Sequence, residues 1–387
     1  MMKRIKGVNL GGWLMMEGYI LGGRNIAEST LKSMFAKTNG KRQLQEFERL
    51  FRDNFITRAD FRNIKAMGAS GVRLPFNCRL IEKKPYRYDE SGFRYIDKAL
   101  DWASENGLAV ILDLHAACGS QNHDWHSDST GPALLWEKGE YRKRTYALWA
   151  ALAQRYKNAP ALAGYDILNE PVIDSKRTAE VSELYRGIIK AIRKVDAQSR
   201  IFIEGNVWGQ HIDFLKELID DNVTVSTHTY SPLNFTFNFI PCQRFPGKSD
   251  GELWNRKRIV KYLESYAVFA KNNGISLFVG EFGINWRGGY FGELEWLENM
   301  LQEFEKNRFE YTYWTYKAVA GSAFPDGIYQ YLGNGPYVRR EGPVYGFENY
   351  LGLWKKEKRD IAKFWRTESY TPNKSIIGLL KKYFEKN

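Results

Sequence analysis

Three cysteines in 387 residues, Cys78, Cys118 and Cys242, are odd in number and too far apart for a disulfide framework. No stretch approaches the ~18 consecutive apolar residues that a membrane-spanning helix requires. The first six residues (Met-Met-Lys-Arg-Ile-Lys) run directly into a strand-like segment, with no apolar run of signal-peptide length. These absences predict a protein of the reducing cytoplasm with no membrane association. The net charge of +12 invites a nucleic-acid reading. Yet basic residues alternate with acidic ones, as in Glu357, Lys358, Arg359 and Asp360, and no five-residue basic run occurs. No helix-turn-helix or zinc-finger spacing accompanies the charge, so a solvated basic surface is expected and no nucleic-acid partner. Gly-x-Ser-x-Gly, P-loop, Cys-x-x-Cys and His-Glu-x-x-His motifs are also missing, which leaves esterase, nucleotide and redox chemistry without a starting point and implies no cofactor.

What the chain does have is aromatic residues, 15% of the total with 12 Trp and 23 Tyr. Many belong in a core, but flat rings with a polar edge also suit the C–H faces of a sugar. Short apolar or β-branched runs recur along the whole length: Ile5–Leu10, Gly71–Phe76, Ala109–His115, Leu162–Glu170, Arg200–Asn206, Val223–Tyr230, Ile275–Gly283 and Tyr311–Val319. Most are continuously apolar, as strands buried on both faces of a parallel sheet must be. Helical periodicity fills the gaps. Thr57 to Asp60 reads as an N-cap ahead of Phe61, Ile64 and Met67, while Phe93, Ile96, Leu100 and Ala103 share one face before Asn106-Gly107. Val181, Leu184, Ile188, Ile192 and Val195 repeat the pattern. Eightfold strand–helix alternation predicts an α/β fold of the (β/α)₈ TIM-barrel class, a single catalytic domain over residues 1–387. Two long loops are expected, residues 11–56 after strand one and residues 320–374 after strand eight. The second is rich in tyrosine (Tyr329, Tyr331, Tyr337, Tyr345, Tyr350) and reads equally as a wall of the catalytic mouth or as a packed excursion.

In a TIM barrel the active site lies at the C-terminal ends of the strands. Those ends carry Arg73, His115, Asn169, Glu170, His228, Tyr230, Glu281 and Trp314. Ionisable groups there are costly to bury unless they serve a purpose. Glu170 and Glu281 approach one cleft from opposing sides, and two such carboxylates are what glycosidic cleavage needs, one protonated and one ionised. The first strand reads Gly7 to Leu10 without the His-x-His pair of metal-dependent barrel hydrolases, so no metal site is expected.

These residues resemble glycoside hydrolase family 5, the cellulase family, over Lys6 to about Val319, roughly four-fifths of the chain. Tyr165–Pro171 (Tyr-Asp-Ile-Leu-Asn-Glu-Pro) is similar to its acid/base motif and Val279–Gly283 (Val-Gly-Glu-Phe-Gly) to its nucleophile motif. The resemblance implies Glu170 as acid/base and Glu281 as nucleophile of a retaining β-glycoside hydrolase, with carboxyl groups about 5–5.5 Å apart. It further implies that Arg73 and Tyr230 donate to Glu281, that His228 neighbours Glu170, that Asn169 holds the sugar 2-hydroxyl, and that Trp314 floors the cleaved sugar. Lys6–Leu14 with Glu17, and Asp113–Asn122, are similar to the exo-β-1,3-glucanase branch, in which an acidic residue at the position of Glu17 binds the terminal sugar. The stretch His123–Asp128 is longer than that branch expects, and β-glucosidase-like, β-mannan-acting or transglycosylating members remain alternatives. So does a non-catalytic carbohydrate-binding barrel. The implied partner is a β-linked oligosaccharide or glycoside; the oligomeric state stays open.

Overall fold

The computed structural model describes residues 4–332 and 346–386. Eight parallel strands close into a barrel in chain order. They are Lys6–Asn9, Gly71–Asn77, Ala109–Ala116, Leu162–Asp166, Ile201–Glu204, Val223–His228, Phe278–Phe282 and Glu310–Tyr313. Closure pairs strand one with strand eight, Lys6 opposite Tyr311. Every predicted strand is present. Strand four stops at Asp166, so Asn169 and Glu170 lie on the loop beyond its end, and Trp314 likewise follows strand eight.

Two apolar layers hold the barrel. Ile5, Ile111, Phe202 and Phe278 form a separate cluster. They lie in or beside strands one, three, five and seven, the four-from-alternate-strands layer that fills a TIM barrel's interior. The main core packs the outer strand faces against the surrounding helices. Helix Arg58–Ala66 starts as read, with the Asp60 carboxylate accepting the Thr57 backbone N–H at 2.6 Å. Helices Glu90–Glu105 and Thr178–Arg193 occupy the other predicted spans. No helix among the described residues is long and apolar enough to cross a membrane. Cys78, Cys118 and Cys242 are free thiols.

The two long connections differ from the expected loops. The first contains helices Glu28–Asn39 and Lys41–Phe55, and the second helix Tyr350–Phe364. They pack on each other through rings: Phe47 lies 5.3 Å from Trp354 and 5.6 Å from Trp365, and Phe51 lies 5.1 Å from Trp365. Phe47, Phe51 and Phe55 recur at four-residue spacing and are buried together, a periodicity that burial converts to helix. Of the tyrosines in the second connection, Tyr350 belongs to this packed cluster, Tyr329 packs on Tyr316, and Tyr331 on Phe364 and Tyr370. Tyr337 and Tyr345 lie outside the described residues.

Candidate active site

Above the apolar interior layer the barrel becomes charged. Arg73, on strand two, is wholly buried and meets four carboxylates: Asp166 and Glu204 at 2.8 Å, Glu281 at 2.8 Å and Asp113 at 3.1 Å. It also donates to Asn9 Oδ1 at 3.2 Å and Asn169 Oδ1 at 2.8 Å. Five N–H groups in a rigid fork suit guanidinium to such a hub. One cation cannot neutralise four anions. Burial, and next the nearby Glu204, push Asp166 well above the usual carboxylate range.

Glu281 extends from strand seven into a cavity of about 500 Å³. One oxygen accepts from Arg73 at 2.8 Å and the other from the Tyr230 hydroxyl at 2.8 Å, which fixes the carboxylate plane. The preceding Gly280 has no room for a side chain, since a Cβ there would stand 2.9 Å from His228 Nε2. Glycine therefore leaves room for the imidazole beside the nucleophile position.

Glu170 faces Glu281 across the cavity. Its backbone sits at φ 45°, a left-handed conformation that costs on the order of 1–3 kcal/mol in a residue with a Cβ. The Glu204 carboxylate holds it there by accepting the Glu170 backbone N–H at 2.7 Å. Each Glu170 oxygen has its own imidazole: Oε1 lies 2.7 Å from His228 Nδ1 and Oε2 3.1 Å from His126 Nε2. Burial resists charge on Glu170, but the hydrogen bonds of His126 and His228 outweigh it and hold the carboxyl well below its ordinary range. Burial works against a charged His228 as well, yet Glu204, Glu281 and Glu170 together raise it well above the ordinary imidazole value. His228 Nε2 is 3.2 Å from Glu204.

At the inner end, Glu17 is buried beside His115, with 3.9 Å between Oε1 and Nε2. Burial, then Glu281, Glu170 and Asp113, raise its proton affinity strongly. Its Oε1 has no hydrogen-bond partner. Asp113 orients His115 through Nδ1 at 2.8 Å, and the His115 ring stacks parallel on Trp314 at 5.4 Å. The Trp314 indole N–H is bonded to the Tyr19 hydroxyl.

The structure thus brings seven of the nine predicted residues to the cavity wall: Glu17, His115, Glu170, His228, Tyr230, Glu281 and Trp314. Arg73 and Asn169 are fully buried next to that lining, and Asn169 Nδ2 has no partner. Sequence reasoning passed over Glu204 at the end of strand five, although the strand-end rule points to it. It also passed over His126 and Tyr19, which loops deliver. Glu170, His228 and Glu281 each present an atom within 4.8 Å of the others, close enough to suggest a metal. The Glu170–His228 pair at 2.7 Å is a hydrogen bond, however, and shorter than the roughly 3.3 Å separating two ligands of a tetrahedral ion bound at about 2.0–2.1 Å. Two facing carboxylates within 4.8 Å, one gripped by a cation and one by imidazoles, equip the cavity for acid/base chemistry with nucleophilic attack.

The family profile of cellulase, glycosyl hydrolase family 5, matches residues 34–319. The chain is 31% identical over 330 residues to a β-xylosidase of Phanerodontia chrysosporium, covering 81% of this chain and 67% of that protein. It is 27% identical over 347 residues to endoglucanase C of Acetivibrio thermocellus, covering 81% of this chain and 91% of that one. The crystal structure of endoglucanase Cel5A from Thermotoga maritima superposes with a TM-score of 0.61 over 84% of this chain and 91% of its own, at 23% identity, which shows a common barrel. Barrel, charged floor, facing carboxylates and family profile converge: the chain is an O-glycosyl hydrolase and belongs to glycosyl hydrolase family 5.

Proposed function

We propose that the enzyme removes single sugars from the non-reducing end of β-glucosides and short β-gluco-oligosaccharides by double displacement, with retention of anomeric configuration. The separation of the carboxylates carries this reading. Oxygens of Glu170 and Glu281 within 4.8 Å suit the ~5–5.5 Å carboxyl spacing of retaining enzymes better than the ~6.5–9.5 Å of an inverting pair.

In the first step a Glu281 oxygen bonds to C1 while the C1–O bond breaks and Glu170 gives its proton to the departing oxygen. The alcohol leaves, and the sugar stays esterified to Glu281. In the second step Glu170 takes a proton from water, the hydroxide oxygen bonds to C1 from the face the alcohol left, and Glu281 is released. His228 lies one hydrogen bond from Glu170, placed to exchange a proton with it. Arg73 and Tyr230 orient Glu281 as an acceptor. The unpaired Nδ2 of Asn169 is the donor left for the sugar 2-hydroxyl, whose contact strengthens as C1 gains charge. Trp314, stacked on His115, supplies the flat face under the ring.

Exo-action is supported by the inner end. Glu17, buried and with an unpartnered oxygen, suits a terminal sugar hydroxyl, and Tyr19, bonded to Trp314, stands on the same cavity wall. The test is proton NMR of an aryl β-glucoside hydrolysis in its first minutes. β-Glucose should appear first and mutarotate afterwards; initial α-glucose would overturn the mechanism.

A further inference from the structure

The leaving group must pass out through the mouth of the cavity, and one wall of that cavity is a row of rings. Tyr230 packs on Phe237 at 4.9 Å, Phe237 on Phe324 at 5.5 Å, and Phe239 on both Phe237 and Phe324 at 5.3 and 5.4 Å. This row of rings runs from the nucleophile's own hydrogen-bond partner out to solvent. At its outer end Leu233, Phe239 and Ile240 are 45%, 45% and 46% exposed. Residues 233–240 read Leu-Asn-Phe-Thr-Phe-Asn-Phe-Ile and carry no charge.

The polar side chains along this opening are already engaged by the protein. Asn238 donates to the Ser322 carbonyl at 2.8 Å and accepts from Arg287 at 3.2 Å. Asn234 is bonded to Asp250, and Thr236 to carbonyls of its own turn. Across the opening, Asp124 accepts the Trp208 indole N–H at 2.8 Å. Among the described residues the wall therefore offers ring faces and methyl groups, with Gln210 and Ser231 as the polar lining left on that side. A contiguous exposed apolar patch is itself the mark of a binding surface, and this one is continuous with the catalytic cavity. A second sugar brings several hydroxyls that gain little from such a wall. A hydrocarbon gains in proportion to the apolar area it buries.

We propose that the preferred substrate is a β-glycoside whose aglycone is apolar, a hydrocarbon group laid along Phe237, Phe239, Phe324 and Leu233. This rests on the glycosidase reading above and names the leaving-group class for the same site. The alcohol departs as ROH, its oxygen protonated by Glu170.

The experiment compares kcat/KM for octyl β-glucoside and for a β-1,3-linked glucose disaccharide, with β-glucosyl fluoride as the substrate that has no organic aglycone. Octanol leaves less readily than a sugar alcohol, so a preference for it can only come from binding. The octyl glucoside should exceed the disaccharide by tenfold or more. Leu233→Asn and Phe239→Asn, made singly, should each lower the octyl-to-fluoride ratio at least fivefold. Both positions are exposed, so neither change threatens the fold, and a ratio cancels any loss of active protein. Turnover of the fluoride together with a disaccharide that equals or beats the octyl glucoside would overturn the proposal. So would variants with an unchanged ratio. Failure to turn over the fluoride would instead overturn the glucosidase reading beneath it.

Discussion

Glu281→Gln should lower kcat by about 10⁵-fold for every substrate, aryl glycosides with good leaving groups included. The amide keeps the shape and one acceptor for Arg73 but cannot bond to C1, so leaving-group quality offers no escape. The protein should nonetheless fold. In the native floor one guanidinium faces Asp113, Asp166, Glu204 and Glu281, and the substitution removes one charge from this crowded set. Thermal unfolding should therefore shift little, or upward. Steady-state kinetics beside a melting curve checks both halves. Loss of activity with loss of fold would show that Glu281 is structural, whereas near-normal activity would remove it from the chemistry.

Glu170→Ala should separate the two half-reactions. With an alkyl or sugar leaving group, which needs its proton, kcat/KM should fall by about 10²–10⁴-fold, the usual contribution of a positioned acid. With a dinitrophenyl glycoside the first step needs little proton assistance and should survive, while the second step loses its base. The glycosyl enzyme then accumulates, KM falls together with kcat, and added azide restores turnover by attacking C1 from the vacated side. The azide product should have the β configuration. A loss of equal size for all leaving groups, without azide rescue, would mean that Glu170 only orients the site.

Much of this was legible in the sequence because barrel strands announce themselves. Runs such as Val110 to Leu112 and Ile201 to Ile203 are buried on both faces, and their continuous apolarity follows from that burial. Strand ends are where a barrel tolerates polar groups, and His115, His228 and Glu281 lie at or next to theirs, with Glu170 on the loop beyond, whereas Arg73, expected at an end too, sits inside strand two. The charged floor was harder to see. Asp113 and Asp166 lie within strands and turn inward through the alternation of the pleat, an orientation that a mostly apolar run does not display. Glu204 ends the short strand five and obeys the same rule as Glu170, but no motif drew attention to it. His126 could not be placed at all, because it sits on a 3₁₀ turn whose path is set by Asn122, and loop geometry has no periodicity to read. The helices of the two long connections were missed for a related reason. Their rings bury against each other rather than on the barrel, so the partner of Phe47 lies some three hundred residues away at Trp354 and Trp365.

The central claim is that a sugar becomes covalently bound to Glu281 on the way to product. Incubation with 2-deoxy-2-fluoro-β-glucosyl fluoride tests it directly, because fluorine at C2 slows both steps while the activated leaving group restores the first, so the glycosyl enzyme accumulates. Intact-protein mass spectrometry should show stoichiometric addition of one fluorosugar, time-dependent loss of activity, and after proteolysis a single modified peptide carrying Glu281. Addition at Glu170 or at Glu17, or inactivation without any covalent mass, would contradict the assignment.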